Sequence, residues 1–186
     1  MNIKIISASV RTGRNSHRAA LYFSKYITEN KLGEVEIMDL KEYNFPIFDE
    51  RLQYMDNPSP EVLRFSDKIK SSDGVLIVTP EYNGGYPASL KNVVDLLYPE
   101  WKRKPVAIAT ASDGPYGGTQ VITSILFTFW KIGAWVVPAR FHAPKVQVNY
   151  DEEGNPVNKE FSDKMAKSFI DELIWCIDAK TGLHSQ

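Results

Sequence analysis

Five short apolar runs alternate with five helix-like runs along this chain, and that alternation limits the fold more than any other feature. The strand-like runs are Ile3 to Ser7, Val35 to Met38, Gly74 to Val78, Val106 to Thr110 and Ala134 to Val137. Apolar residues recur at three- and four-residue spacings over Ser16 to Glu29, Pro60 to Ser71, Ser89 to Leu97, Gly118 to Ile132 and Lys159 to Asp178. Such a pattern predicts a parallel sheet, because right-handed helical crossovers leave few other ways to connect the strands. The first, third and fourth runs are short and apolar, as strands covered on both faces are. The expected architecture is α/β, a three-layer sandwich with helices on both faces of a five-stranded parallel sheet. Ligands of such sheets bind outside the carboxyl ends of the strands. The segments that follow strands one, three and four are therefore the places to look for chemistry.

The 186 residues fit one large domain, and neither the irregular stretch from Leu40 to Ser59 nor the polar excursion from Ala143 to Asn158 reads as a boundary, so a single domain over 1–186 is expected. A net charge of −1 offers no footprint for nucleic acid. There is no apolar run of membrane-spanning length, and Met1-Asn2 leads directly into a strand-like run without a signal-peptide leader, which predicts a cytoplasmic protein that does not engage a membrane. The single cysteine, Cys176, lies in an apolar helix-like segment and reads as a buried small hydrophobe. Any redox chemistry must then come from a cofactor. His17, His142 and His184 are too scattered to predict a metal site.

Three loops carry the informative residues. After the third strand, Thr79 to Asn92 holds two prolines that fix φ, Gly84 and Gly85, which can take positive φ, and Asn83, which tolerates the left-handed region. A loop of this kind can grip a flat, polar-edged ligand by main-chain hydrogen bonds while Tyr82 and Tyr86 offer apolar faces; a surface turn rich in Gly and Pro is the other reading. After the first strand, Ser9-Val10-Arg11-Thr12-Gly13-Arg14-Asn15-Ser16-His17 runs into a helix. Hydroxyls, free N–H groups at a helix N-terminus and an arginine fork suit an anion. Ser16 can equally serve as the helix N-cap, and a solvated basic turn is the alternative. Lacking the glycine spacing of a Walker A loop or a dinucleotide fingerprint, the segment suits a terminal monophosphate better than a pyrophosphate. After the fourth strand comes Ala111 to Gly118, again small residues, turn formers and an aromatic.

The paired motifs Ser9-x-Arg11-x-x-x-x-Ser16 and Pro80-Glu81-Tyr82-Asn83-Gly84-Gly85-Tyr86-Pro87-Ala88-Ser89-Leu90-Lys91-Asn92-x-x-Asp95 resemble those of the NAD(P)H-dependent FMN reductases, whose relatives include quinone, azo-dye and chromate reductases. The resemblance runs from Ile3 through at least Gly118. It implies a flavodoxin-like fold with strand order 2-1-3-4-5, FMN as cofactor and NADPH or NADH as co-substrate. It also implies that Ser9, Arg11 and Ser16 hold the FMN phosphate, that Pro80, Glu81, Tyr82, Asn83 and Gly84 border the isoalloxazine and ribityl chain, and that Ser112, Gly114 and Gly118 form a third flavin-contacting loop. Ala8 stands where many relatives carry Gly. Roles for Arg14 and His17 do not carry over. On this reading no side chain is catalytic, and electrons pass from the nicotinamide through FMN to a small-molecule acceptor. The rival reading is a non-catalytic flavin-binding carrier or interaction protein.

Similarity to the family further implies a homodimer or homotetramer. Gly118 to Ile132 and Ser89 to Leu97 each carry more apolar residues than one face requires, so both helices are candidates for a subunit interface.

Overall fold

A computed structural model describes residues 1–184, so the last two positions of the expected domain, Ser185 and Gln186, lie outside the described residues. In chain order the elements are β1 (Asn2–Ser7), α1 (Ser16–Glu29), β2 (Glu34–Asp39), α2 (Leu40–Tyr43), α3 (Pro60–Ser71), β3 (Gly74–Pro80), α4 (Ala88–Leu96), β4 (Pro105–Ala111), α5 (Val121–Lys131), β5 (Trp135–Ala143), α6 (Val146–Asn149) and α7 (Lys159–His184). The strands form one sheet in the order β2-β1-β3-β4-β5, with every neighbouring pair parallel. This is the flavodoxin-like arrangement. No described helix is long and apolar enough to cross a membrane.

Alternation along the strands divides the buried side chains between two cores, one on each face of the sheet. Ile3 and Ile5 of β1, with Leu76 and Val78 of β3, pack with Phe23 of α1 and Phe169 of α7. Ile6, Val75 and Ile77 point the other way, toward Phe65 of α3, Leu90 of α4 and Phe129 of α5. β3 and β4 are buried along their whole lengths, which explains why their sequences are almost continuously apolar.

α7 runs on past Asp178 to His184, and two further elements have limits other than their sequences suggest. Pro138 reads as the end of β5, but the strand runs on to Ala143 past an irregularity, where Val136 pairs with Val106 and Arg140 with Ile108. Proline is tolerated there because β5 is an edge strand, where a missing N–H need not break a ladder. Its second half delivers α6 to the carboxyl edge of the sheet. The other case is α5, which starts at Val121 because Gly117 and Gly118 both take positive φ and cannot open a helix.

α4 has no apolar face to spare. Leu90, Val93, Val94 and Leu96 are all buried within the chain, none more than 5% exposed. α5, by contrast, leaves Phe127 and Trp130 exposed, their rings 5.8 Å apart. A charge on the buried face of α4 therefore acts on the fold. Val93→Glu and Val94→Glu should each abolish cooperative unfolding, because an unpaired carboxylate in either core position has no partner. Leu90→Ala should cost about 2–5 kcal/mol in denaturant melts.

Candidate functional site

The chain leaves β1 toward β2 on one side and leaves β3 toward β4 on the other, so the loops after these two strands part and open a crevice at the carboxyl edge. The loop after β1 is fastened around Ser9, which is fully buried. The Arg11 N–H donates to Ser9 Oγ (3.3 Å), the same Oγ lies 2.7 Å from Tyr82 Oη, and Arg14 donates to the Ser9 carbonyl (2.6 Å).

α1 begins without a side-chain cap. Asn15 occupies the cap position in helical conformation, and its amide reaches across to Asp113 Oδ1 (3.1 Å) instead. The helix N-terminus thus keeps unsatisfied N–H donors and a partial positive charge. Ser16 is the first helical residue, and its buried hydroxyl has no hydrogen-bond partner. Only one other buried side-chain polar atom among the described residues shares that condition, Trp101 Nε1 in the core. Arg11 is exposed, and its guanidinium has no partner among the described residues. These donors border a cavity of about 200 Å³.

The loop after β3 is a tight hairpin turn. Tyr82 and Gly85 exchange both main-chain bonds, at 2.8 and 3.0 Å, with Asn83 at φ 52° and Gly84 at φ 80° between them. Two successive positive φ values are the geometry that Asn-Gly supplies at least cost. Pro80 closes β3, and Glu81 Oε2 accepts from the Gln120 N–H (3.1 Å), which caps α5 from outside that helix. Ser89 at the start of α4 donates to the Ala8 carbonyl (2.6 Å), and Tyr86 Oη pairs with Thr128 Oγ1 of α5 (2.8 Å).

The loop after β4 is joined to α6. Ser112 donates its N–H to Ala143, and Ser112 and Gly114 carbonyls accept from Val146 and Lys145, at 3.0–3.1 Å. A Cβ on Gly118, at φ 76°, would sit 3.3 Å from the Ala111 carbonyl oxygen and 3.4 Å from Glu81 Cβ, so this glycine permits a close approach of two loops.

Of the residues expected from sequence, Arg11, Ser16, Pro80, Glu81, Tyr82 and Ser112 line one cavity. Ser9 lies bonded to Tyr82, Asn83 and Gly84 form the exposed hairpin tip, and Gly114 and Gly118 shape the loop after β4 without lining the cavity. Tyr82 directs its hydroxyl to the loop after β1. Asn15, Asp113 and Val146 also line the cavity and were not singled out from sequence. Val146 arrives only because β5 continues past Pro138.

Behind the cavity lies a charged cluster. Arg14 grips Asp39 with two N–H···O bonds, and Asp39 also accepts from the Lys41 N–H (3.0 Å). His17 Nδ1 lies 2.9 Å from Ser7 Oγ and 3.7 Å from Asp39. Burial alone would raise the Asp39 pKa, but the bonds and charge of Arg14, with the Lys41 N–H, hold it below the ordinary value. Burial, and then the Arg14 charge, push His17 below its ordinary value against the opposing pull of Asp39 and Glu42.

A donor set of this kind, with an orphaned hydroxyl at an uncapped helix N-terminus and a free arginine fork, fits a phosphate. Residues 1–147 match the family described as NADPH-dependent FMN reductase. The chain belongs to that family. Among relatives, it is 31% identical over 134 residues to an NAD(P)H-dependent FMN reductase of Saccharomyces cerevisiae, covering 64% of this chain and 69% of that one. It is 35% identical over 123 residues to a quinone reductase of Pseudomonas putida, covering 63% of each. The matched part thus spans under two thirds of that quinone reductase. The fold is similar to that of FerB, a flavoenzyme NAD(P)H:(acceptor) oxidoreductase from Paracoccus denitrificans, with a TM-score of 0.76, 24% identity and coverage of 96% and 97% of the two chains.

The His17 shift sets the sign of one pH effect. A base with a lowered folded pKa leaves the unfolded chain binding more protons between that value and the ordinary 6.5, so stability falls as pH drops through this window. His17→Gln should flatten that part of a stability-against-pH curve measured by urea melts, while leaving the slope of the curve above pH 7 unchanged.

Proposed function

We propose that this chain acts as one domain in an FMN-dependent NAD(P)H oxidoreductase, transferring electrons to a quinone, azo compound, metal oxyanion or free flavin. The observation that carries the reading is the phosphate-shaped donor set of Arg11, Ser16 and the open start of α1, placed beside the Asn83-Gly84 hairpin at the β1–β3 crevice. FMN, when bound, supplies the electron-transfer chemistry, so the side chains bind and orient. In this assignment Ser9, Arg11 and Ser16 serve the phosphate. Pro80, Glu81, Tyr82, Asn83 and Gly84 serve the flavin ring and ribityl chain, together with the loop of Ser112, Gly114 and Gly118. The Asn83 and Gly84 N–H groups lie at an exposed tip, where they are free to meet a polar ring edge.

One crevice beside one hairpin gives a flat substrate a single place to stack, so donor and acceptor enter in turn. A homodimer or homotetramer is part of the same reading, supported by the exposed Phe127 and Trp130 on the helix that Tyr86 touches. A cytoplasmic location accords with a lone, buried Cys176.

FMN should bind more tightly than riboflavin, and Arg11→Ala should weaken FMN binding. A charged hydrogen bond is worth about 1.5–3 kcal/mol, which corresponds to a loss of roughly ten- to a hundredfold by fluorescence quenching. Equal affinity of the wild type for the two flavins would remove the phosphate assignment. Initial-rate lines against NADPH at several quinone concentrations should be parallel; intersecting lines would mean that donor and acceptor bind together.

A further inference from the structure

We infer that Arg14 and Asp39 form one positioning unit that holds the loop after β1 in its phosphate-binding shape, so that Asp39, which does not line the cavity, governs the preference for a phosphorylated flavin. The inference rests on the FMN reading above.

Arg14 lines the cavity, but its fork is already engaged. Both carboxylate oxygens of Asp39 take its N–H groups, and a further bond goes to the Ser9 carbonyl (2.6 Å). Their side chains are 12% and 5% exposed. Turning the fork toward a ligand would strand a carboxylate in a place where it cannot be solvated, which is costly. Arg14 therefore spends its charge on Asp39 and leaves Arg11 as the cation available to a ligand.

The bond to Ser9 turns this ion pair into a loop device. Arg14 lies five positions after Ser9, and the contact closes the segment on itself. With its carbonyl fixed by Arg14 and its hydroxyl fixed by Tyr82 and the Arg11 N–H, Ser9 keeps little freedom. Arg11 follows two residues later, so its direction depends on that closure. Asp39 is anchored from the other side, at the end of β2, by sheet pairing with Ser7 and by its own cap on α2. A planar fork meeting a carboxylate in two places fixes orientation as well as distance, which a lysine cannot do.

Asp39→Asn tests the unit with little change of shape. Asparagine can still cap α2, but its amide turns a donor toward the Arg14 fork. FMN and riboflavin affinities would be measured by fluorescence quenching on the wild type, Asp39→Asn, Arg14→Gln and the double variant, each checked for cooperative thermal unfolding. Each single variant should lose roughly ten- to a hundredfold in FMN affinity, as expected for a charged contact, with riboflavin affinity changed less than about twofold. The double variant should lose no more than the worse single one, because both break the same closure. A parallel fall for both flavins would mean general damage to the fold and overturn the inference. So would unchanged or tighter FMN binding by Asp39→Asn, the result if a released Arg14 simply reached the phosphate. Additive losses would make Arg14 an independent ligand and also overturn it. Should one single variant fail to fold, the other carries the comparison. A wild type that cannot tell FMN from riboflavin defeats the FMN reading itself, whatever the variants do.

Discussion

The pairing of β1 between β2 and β3 is the constraint on which the rest of this molecule depends. It is this placement that makes the chain reverse its direction of travel across the sheet, and the reversal parts the loops after β1 and β3. The same pairing aligns Ser7 with Asp39 on one side and with Val78 on the other. A one-residue slip would send every β1 side chain to the opposite core and move Ser9 away from Tyr82 and Arg14 together. Fold and site are thus specified by one register.

The loops of the carboxyl edge are joined to one another. Ser9 to Tyr82, Asn15 to Asp113, Glu81 to Gln120 and Ser89 to Ala8 each tie one segment of the carboxyl edge to another. Most of these partners are hydroxyls, amides or backbone groups, so the edge holds its shape with little net charge. At this edge the buried charge lies in the Arg14–Asp39 pair, behind the cavity, while Lys4, Glu100 and Lys104 are buried elsewhere.

Much of this was legible in the sequence, for identifiable reasons. Strands buried on both faces leave a continuous apolar signature, and β1, β3 and β4 were placed within one or two residues of their limits. α3 was legible from its apolar periodicity over Pro60 to Ser71, and the structure adds the cap that fixes its start, the Val62 N–H donating to Ser59 Oγ. The hairpin tip at Asn83-Gly84 was legible because positive φ restricts residue choice. β5 was cut short since an edge strand tolerates a proline that a central strand would not, a distinction that exists only once the sheet is assembled. Its lost half leads into α6 and Val146, hence the absence of Val146 from the expected site. Asp39 escaped notice because an acid ending a strand looks like any solvated turn residue until Arg14, 25 positions earlier, is seen to fold onto it. The surplus of apolar residues on α4 also misled, because composition does not reveal that Leu97 and Trp101 extend the same core past the helix end.

The uncapped start of α1 has a consequence for the life of the chain as well as for its ligand. A helix that begins on Asn15 in helical conformation, with the Ser16 hydroxyl unpaired, forgoes stabilisation that most helices draw from their own side chains. Whatever anion satisfies those donors adds to the stability of the native state in proportion to its concentration. Supply of the ligand then becomes a determinant of how long each copy resists unfolding and proteolysis.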